Sequence, residues 1–324
     1  MYGYEIFHDS IMEKLINSVK NKTHGHAYIF KGEKGIGKLE AARLFANALV
    51  CQSDTVLPCG TCSGCIQAKA KTNPDIKYID TGDKKSIGVE TIREINDDIC
   101  IKPFGIKSKV YIITDGSLMT EAAQNAFLKT LEEPPRYAVF IILCDDMTPI
   151  LQTIVSRCSV ISFGRVEKET IRKYAENKYG SDYNLDFLVS FSQGNPGIID
   201  RYINDEDFRL LRENSVKMLK PLLSSDKLSS YTIADFLEKN KDNVEDILNF
   251  WIILVRDILL ISSGAEVINS DILKFLNNQA AIYDERYLIN AAEILNMAHE
   301  MCKRYVNNRA LALYLTINIK KNKT

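Results

Sequence analysis

The chain has 324 residues, of which 46% are hydrophobic and 26% are charged, a balance typical of ordinary soluble globular proteins. Its 41 Lys and Arg residues are offset by 42 Asp and Glu residues. Bulk charge therefore does not direct the chain to nucleic acid, and any DNA contact requires a local basic face or partner chains. The length favours two or three domains.

Two features argue against export and membrane insertion. The first nine residues are polar and mixed, unlike a secretory signal. The most apolar stretch, residues 250–261, contains Arg256 and Asp257 and is shorter than the roughly 20 apolar residues of a membrane span, so it predicts a buried helix. We expect a cytoplasmic protein with no membrane contact, whose eight cysteines are thiols or metal ligands rather than disulfides.

The first predicted β-α unit carries a glycine-rich loop. A short apolar run at residues 26–30 is followed by Gly32, Gly35, Gly37 and Lys38 in the pattern Gly-x2-Gly-x-Gly-Lys, and then by an amphipathic helix. A strand, a glycine-rich loop and a helix are the context of a P-loop. Its backbone N–H groups cradle phosphates, and its lysine reaches the terminal ones. These three glycines and the lysine are the candidate nucleotide-binding residues.

One position of this loop departs from a working nucleotide site. The lysine of a P-loop is normally followed by Ser or Thr, whose hydroxyl binds Mg²⁺, and that position is Leu39 here. Two interpretations remain open: a loop that binds nucleotide weakly or not at all, and an inherited turn retained for packing. Both argue against efficient hydrolysis of ATP.

Four cysteines begin at the end of this helix with the spacing Cys-x7-Cys-x2-Cys-x2-Cys: Cys51, Cys59, Cys62 and Cys65. Short Cys-x2-Cys turns place sulfurs side by side, and four thiolates form a closed, structural zinc site. Free thiols in a loop are one alternative. A redox pair is another, disfavoured because cysteines in series leave no obvious nucleophile and resolving partner. We expect one structural zinc ion in a module inserted at residues 51–65.

Strands and helices then alternate up to residue 163. The predicted strands cover residues 75–79, 109–115, 137–144 and 159–163, and the predicted helices cover residues 89–99 and 120–133. Thr120 is expected to cap the second of these helices, and Pro134 to end it. This alternation predicts a parallel α/β sheet with its sites at the carboxyl edge of the strands.

A further helix is predicted between the last two strands. Thr148 is expected to be its cap, with Pro149 at its first position and its end near residues 156–158. Beyond residue 166 the strand patterns stop. Helical patterns continue to residue 203 with a break at residues 194–197, and residues 208–320 form long helices without chemical motifs.

Three segments carry a specific resemblance. They are Lys-Val-Tyr-Ile-Ile-Thr-Asp at residues 109–115, Asn-Ala-Phe-Leu-Lys-Thr-Leu-Glu-Glu-Pro-Pro at residues 125–135, and Ser-Arg-Cys at residues 156–158. Together with the P-loop remnant and the four cysteines, they resemble the core of bacterial clamp-loader subunits of the AAA+ superfamily. The resemblance implies an α/β AAA+ domain over residues 1–165, a small helical lid over residues 166–207 and an all-α collar, or oligomerisation domain, over residues 208–324.

The resemblance also implies partners and a function. Clamp loaders are rings of five related subunits that use ATP to open a sliding clamp and place it on primed DNA, so gamma/tau and delta subunits are the expected partners. Thr114-Asp115 stands where hydrolysing members carry an acidic pair, and residues 194–197 lack the Arg of the lid's nucleotide-sensing motif. With Leu39, these departures predict the non-hydrolysing class of subunit. The alternative is an ATPase of the gamma/tau type.

The arginine of the Ser-Arg-Cys motif is the residue with the clearest expected role. In this family it projects into the neighbouring subunit's nucleotide site, which makes Arg157 the candidate catalytic residue, acting in trans. A surface arginine that caps the last carbonyls of its helix is the alternative. Glu132 and Glu133 are interpreted as solvated charges at a helix end rather than as an acid/base pair.

Overall fold

The computed structural model describes residues 7–82, 84–105, 107–180, 183–224, 228–302 and 307–321. The chain divides into two compact units: one contains residues 1–171 and 194–197, and the other contains residues 172–193 and 198–324. The finer division into three domains, with boundaries after residues 165 and 207, remains a prediction.

The first unit is built on a five-stranded sheet. Its strands are β1 (Ala27–Lys31), β2 (Ile76–Ile79), β3 (Lys109–Ile113), β4 (Ala138–Cys144) and β5 (Ser159–Ser162). They lie in the order β2-β3-β4-β1-β5, and all neighbouring pairs are parallel. Both β3 and β4 are buried along their full length, as expected of parallel strands covered by helices. The predicted parallel α/β fold is confirmed.

In the described part of this unit, six helices accompany the strands: α1 (Asp9–Lys20), α2 (Lys38–Val50), α3 (Ser63–Lys69), α4 (Val89–Ile99), α5 (Glu121–Glu132) and α6 (Gln152–Val155). The predicted cap of α5 is confirmed, because the Thr120 hydroxyl accepts a hydrogen bond from the Ala123 N–H at 3.2 Å. The helix ends ahead of Pro134, which cannot continue it.

The predicted start of the next helix is wrong. Thr148 and Pro149 lie in a turn, and α6 is a single helical turn that begins at Gln152. The hydroxyl and the N–H of Thr148 both donate to the Asp146 carboxylate, at 2.8 and 2.9 Å. An aspartate two residues earlier therefore binds the threonine inside a turn, which is a known alternative to helix capping.

Among the described residues, no strand follows β5, and the rest of the chain is helical. The helices are α7 (Lys168–Tyr179), α8 (Leu185–Ser192), α9 (Pro196–Asn204), α10 (Glu206–Leu223), α11 (Leu228–Lys239), α12 (Val244–Ser262), α13 (Leu273–Ala280), α14 (Glu285–Cys302) and α15 (Asn308–Lys321). Within the described part of the chain, no helix has both the length and the apolar character needed to cross a membrane.

The predicted buried helix at residues 250–261 lies inside α12. Trp251 is fully buried there, and its indole N–H donates to the Ser215 carbonyl at 2.9 Å. Asp257 is also buried, and its carboxylate accepts hydrogen bonds from the N–H groups of Ile268 and Asn269 at 3.0 and 2.8 Å. These partners make the buried charge tolerable in the core of the second unit.

Candidate functional site

The four predicted cysteine ligands come together at the end of α2. Cys51 directly follows this helix, and Cys62 precedes α3, where the Cys65 N–H donates to the Cys62 sulfur at 3.4 Å. The sulfurs of Cys51, Cys59, Cys62 and Cys65 all lie within 4.8 Å of one another. None of the four cysteines forms a disulfide bond; Cys51 and Cys65 are buried, and the other two are half-buried.

Backbone N–H groups point at these sulfurs. The Cys59 N–H donates to the Cys51 sulfur at 3.3 Å, and the Cys62 N–H donates to the Cys59 sulfur at 3.4 Å. Donors on Thr61 lower the pKa of the Cys59 thiol to about 5. Burial raises the pKa of Cys65. The N–H···S contacts to Cys51 and Cys59 favour the thiolate, which is the form of cysteine that binds metals.

The cluster has the dimensions of a single metal site. A Zn–S distance of about 2.3 Å in a tetrahedral four-thiolate site places the sulfurs about 3.8 Å apart. The sulfurs of Cys59 and Cys65 are 3.9 Å apart. Four sulfur ligands fill a tetrahedral coordination sphere, so the cluster can hold a structural metal ion rather than a catalytic one.

The glycine-rich loop joins β1 to α2 as predicted, and its lysine is bound within the chain. Lys38 is only 7% exposed, and its Nζ donates to the carbonyls of Gly32 and Glu33 at 2.5 and 2.9 Å. The same Nζ donates to Asp145 Oδ1 at 2.6 Å. An ammonium group has three N–H donors, so these three acceptors match its full capacity. The lysine charge is therefore neutralised by a carboxylate of the chain.

Residues 194–197 pack directly on the same loop. The Asn195 side chain donates from Nδ2 to the Lys34 carbonyl at 2.8 Å, and the Gly197 N–H donates to the Gly35 carbonyl at 3.1 Å. A Cβ atom at Gly197 would lie 2.5 Å from the Cα atom of Gly35, so this approach requires glycine. Gly35 itself has φ +86°, and Gly37 has φ +100°, in the left-handed region that favours glycine.

The two residues at the positions of the acidic pair stabilise local structure. Thr114 Oγ1 donates to the Ile79 carbonyl at 3.2 Å. Asp115 Oδ1 accepts a hydrogen bond from the Ser117 N–H at 3.0 Å and thereby caps the short 3-10 helix Gly116–Leu118. Both side chains are thus used in holding the loop after β3.

Arg157 lies just beyond α6 with its side chain 35% exposed. Its Nη2 donates to Glu132 Oε1 at 2.6 Å, and its Nη1 donates to the Thr153 carbonyl at 2.9 Å. The Thr153 contact is the helix-capping interaction considered above. Glu132 is exposed at the end of α5, as predicted, and its carboxylate also forms an ion pair with Arg157.

Sequence reasoning missed Asp145, the partner of Lys38, and Gln124, which binds the segment before α6. Asp145 could have been noticed as a carboxylate directly after a buried strand that pairs with β1. Gln124 is buried, and its side-chain amide donates to the carbonyls of Met119 and Pro149 at 3.1 and 2.9 Å. Its Oε1 accepts a hydrogen bond from the Leu151 N–H at 2.7 Å, which anchors the segment before α6. An amide on the buried face of α5 was the available signal.

Comparison with known proteins gives matches of two lengths. A family model described as DNA polymerase III, delta subunit, matches residues 7–167. The DNA polymerase III subunit delta' of Bacillus subtilis (strain 168) is 26% identical over 316 residues, covering 96% of this chain and 95% of that protein. The tau subunit of the same organism is 37% identical over 164 residues, covering 50% of this chain and 29% of that protein. The Escherichia coli (strain K12) tau subunit is 32% identical over 170 residues, covering 52% of this chain and 26% of that protein.

The chain thus spans less than a third of these tau proteins and nearly all of the delta' protein. Among solved structures, a DNA polymerase III gamma subunit-related protein from Thermotoga maritima has a TM-score of 0.44 at 21% identity, covering 97% of this chain and 99% of that one. The Bacillus subtilis DNA clamp loader delta protein has a TM-score of 0.34 at 14% identity, covering 95% and 99%. On the sequence matches, residues 7–167 belong to the DNA polymerase III delta-subunit family.

Proposed function

We propose that this chain is a delta-prime-type subunit of a DNA polymerase III clamp loader, a rigid stator that helps to place the sliding clamp on primed DNA. The observation that carries this proposal is the match to the delta' protein along 96% of this chain and 95% of that protein. Gamma/tau and delta subunits are its direct partners, and it meets the clamp and primer-template DNA through the complex.

The subunit does not hydrolyse ATP itself. Lys38 has a carboxylate and two carbonyls as partners, and Leu39 supplies no hydroxyl for Mg²⁺. Thr114 and Asp115 stabilise the loop after β3 rather than holding a metal ion. The loop is retained for packing, and its turn residues are Gly32, Gly35 and Gly37.

The metal ion of the cysteine cluster is zinc. Cys51, Cys59, Cys62 and Cys65 offer only sulfur, the donor set of structural Zn²⁺ in proteins. The ion braces the module at residues 51–65 and takes no part in chemistry. Residues 166–207 form the lid and residues 208–324 form the collar through which the subunits assemble.

Arg157 donates an arginine finger to the nucleotide site of a neighbouring subunit. Its guanidinium lies at a helix end and is partly exposed, so it can reach an acceptor outside the chain. A guanidinium delivered in trans stabilises charge on the transferring phosphoryl group, which is worth about 10³–10⁵ in rate in well-studied systems.

The test is ATP turnover by the complex reconstituted with gamma/tau and delta subunits. We expect Arg157→Ala, and also Arg157→Lys, to depress turnover while the stoichiometry of the complex is unchanged, because lysine lacks the planar fork of the guanidinium. A wild-type rate in a complex that contains Arg157→Ala would disprove the arginine-finger role.

A gamma/tau-type ATPase is the second candidate, favoured by the 37% identity to the tau subunit over 164 residues. Titration of the isolated chain with ATP, with and without Mg²⁺, separates the two. Micromolar Mg²⁺-dependent binding with turnover would establish the ATPase, whereas the stator neither binds tightly nor turns ATP over.

A further inference from the structure

The guanidinium of Arg157 is held from two sides. Its Nη1 donates to the Thr153 carbonyl at 2.9 Å and lies 3.4 Å from Ser156 Oγ, both on its own helical turn. Its Nη2 donates to Glu132 Oε1 at 2.6 Å, across 25 residues of sequence. A long side chain with free rotation is thereby confined to one orientation by two different elements.

The position of Glu132 is unfavourable for the helix that carries it. Glu132 is the last residue of α5, and Glu133 follows it, so two carboxylates lie at the negative end of the helix dipole. Cations, not carboxylates, stabilise a helix at this end. The last turn also carries Lys129, and the guanidinium of Arg157 pairs directly with one of the two carboxylates. Helix stability alone therefore does not explain an acidic residue at position 132.

The last turn of α5, which carries Glu132, is firmly packed. The preceding residue, Leu131, is 1% exposed, and Phe127, one turn earlier, is 0% exposed, so the C-terminal turn of α5 is anchored in the core of the sheet unit. A carboxylate carried by such an element can fix the direction of a mobile side chain. Functional groups hold their geometry best when neighbouring side chains on rigid elements support them.

We propose that Glu132 is a positioning residue for Arg157: its carboxylate aims the guanidinium before a neighbouring subunit's nucleotide arrives. This inference rests on the proposed role of Arg157 as an arginine finger. The guanidinium has five N–H donors, so it can keep its contacts to Glu132 and Thr153 and still offer donors to a phosphate. Orientation fixed in advance leaves less freedom to be lost in the transition state.

The experiment compares three variants in the reconstituted complex. Glu132→Gln removes the charge but keeps the side-chain length, Glu132→Asp keeps the charge but shortens the reach, and Glu133→Gln is the matched control, since Glu133 is exposed and adjacent. We expect Glu132→Gln to lower kcat roughly tenfold, less than the roughly 10²-fold that a misplacement of about 1 Å can cause, because Thr153 still binds the guanidinium. Glu132→Asp should give an intermediate kcat, and Glu133→Gln the wild-type value.

Two further readouts separate positioning from a structural role. The KM for ATP and the stoichiometry of the complex should be unchanged in Glu132→Gln, because the neighbouring subunit binds the nucleotide. In a double-mutant cycle, adding Glu132→Gln to Arg157→Ala should have no further effect, since Glu132 acts only through the arginine.

The outcomes are distinguishable. Unchanged turnover with Arg157→Ala refutes the arginine finger, and with it this inference. If Arg157→Ala lowers turnover but Glu132→Gln has the same kcat as Glu133→Gln, the arginine-finger role is supported and the positioning role of Glu132 is refuted. A further loss when Glu132→Gln is added to Arg157→Ala also overturns the positioning role, because Glu132 would then act on another group.

Discussion

At the scale of single residues, the hydrogen bonds of Lys38 oppose phosphate binding by the glycine-rich loop. A P-loop lysine binds phosphate through an ammonium group whose donors are available. Here a phosphate group would have to displace a carboxylate held at 2.6 Å and two backbone carbonyls from a side chain that is 7% exposed. Asp145 thus supplies the counter-charge of the Lys38 ammonium group.

This pairing leads to a prediction for Asp145→Asn. Removing the carboxylate leaves a nearly buried ammonium without its counter-charge, so we expect the free energy of unfolding to fall by about 1–2 kcal/mol, a value kept small because Asp145 is partly exposed. Inorganic pyrophosphate should raise the thermal midpoint of this variant and leave that of the wild type unchanged, as followed by circular dichroism.

The double variant Lys38→Met/Asp145→Asn is the control, because it retains the loop but removes the ammonium group. It should not respond to pyrophosphate. An equal response of the wild type and Asp145→Asn would show that the carboxylate does not exclude anions from the loop.

At the scale of elements, the cysteine module has only a small apolar cluster around Leu57, and its sulfurs accept hydrogen bonds from backbone N–H groups. We expect about one zinc ion per chain in undamaged protein. Chelation should increase amide hydrogen exchange at residues 51–70 first. Cys62→Ser should reduce the metal content, whereas Cys100→Ser should not, because Cys100 is an exposed thiol outside the cluster. Full metal loss without a local increase in exchange would contradict the bracing role.

Two threonines provide a matched test of helix capping. The Thr120 hydroxyl accepts a hydrogen bond from the Ala123 N–H at the start of α5, whereas the Thr148 hydroxyl donates one to Asp146 in a turn. Thr120→Ala should therefore lower the free energy of unfolding by about 1 kcal/mol, the usual effect of losing a cap. Thr148→Ala should change it by less than about 0.5 kcal/mol, as for most surface sites. Urea unfolding followed by circular dichroism measures both, and equal effects would contradict the assignment.

At the scale of the whole molecule, local sequence patterns predicted the helices and strands better than the contacts between residues far apart in sequence. The helix at residues 89–99 and the buried strands have periodic or continuous apolar patterns that depend only on neighbours in sequence. The Lys38–Asp145 pair joins residues 107 positions apart, and the Asn195–Lys34 contact joins residues 161 positions apart. Such partners depend on strand order and tertiary packing, which no local pattern encodes. The spacing of the cysteines located the metal cluster, and the family motif located Arg157, but neither located the residues that contact them.

The helical unit illustrates the same limit, since Arg212, a buried residue with several partners, belongs to no motif. Arg212 is 4% exposed and binds Asp271 through Nη1 and Nη2 at 2.9 and 2.8 Å. Its guanidinium also lies 4.7 Å from the ring centroid of Phe187 and 5.1 Å from that of Phe191. A single side chain therefore links α8, α10 and the segment before α13 within the second unit.

This arrangement predicts that Arg212→Ala destabilises the second unit strongly. Breaking a largely buried ion pair leaves Asp271 without its partner, so we expect a loss of about 3 kcal/mol in the free energy of unfolding. Arg201→Ala is the matched control, because Arg201 pairs with Asp246 at 2.8 Å but is 39% exposed, and exposed pairs contribute at most about 1 kcal/mol. The single tryptophan, Trp251, is buried in this unit, so its fluorescence during urea unfolding reports on the unit directly. Equal shifts in the two variants would contradict the larger contribution expected of the buried ion pair.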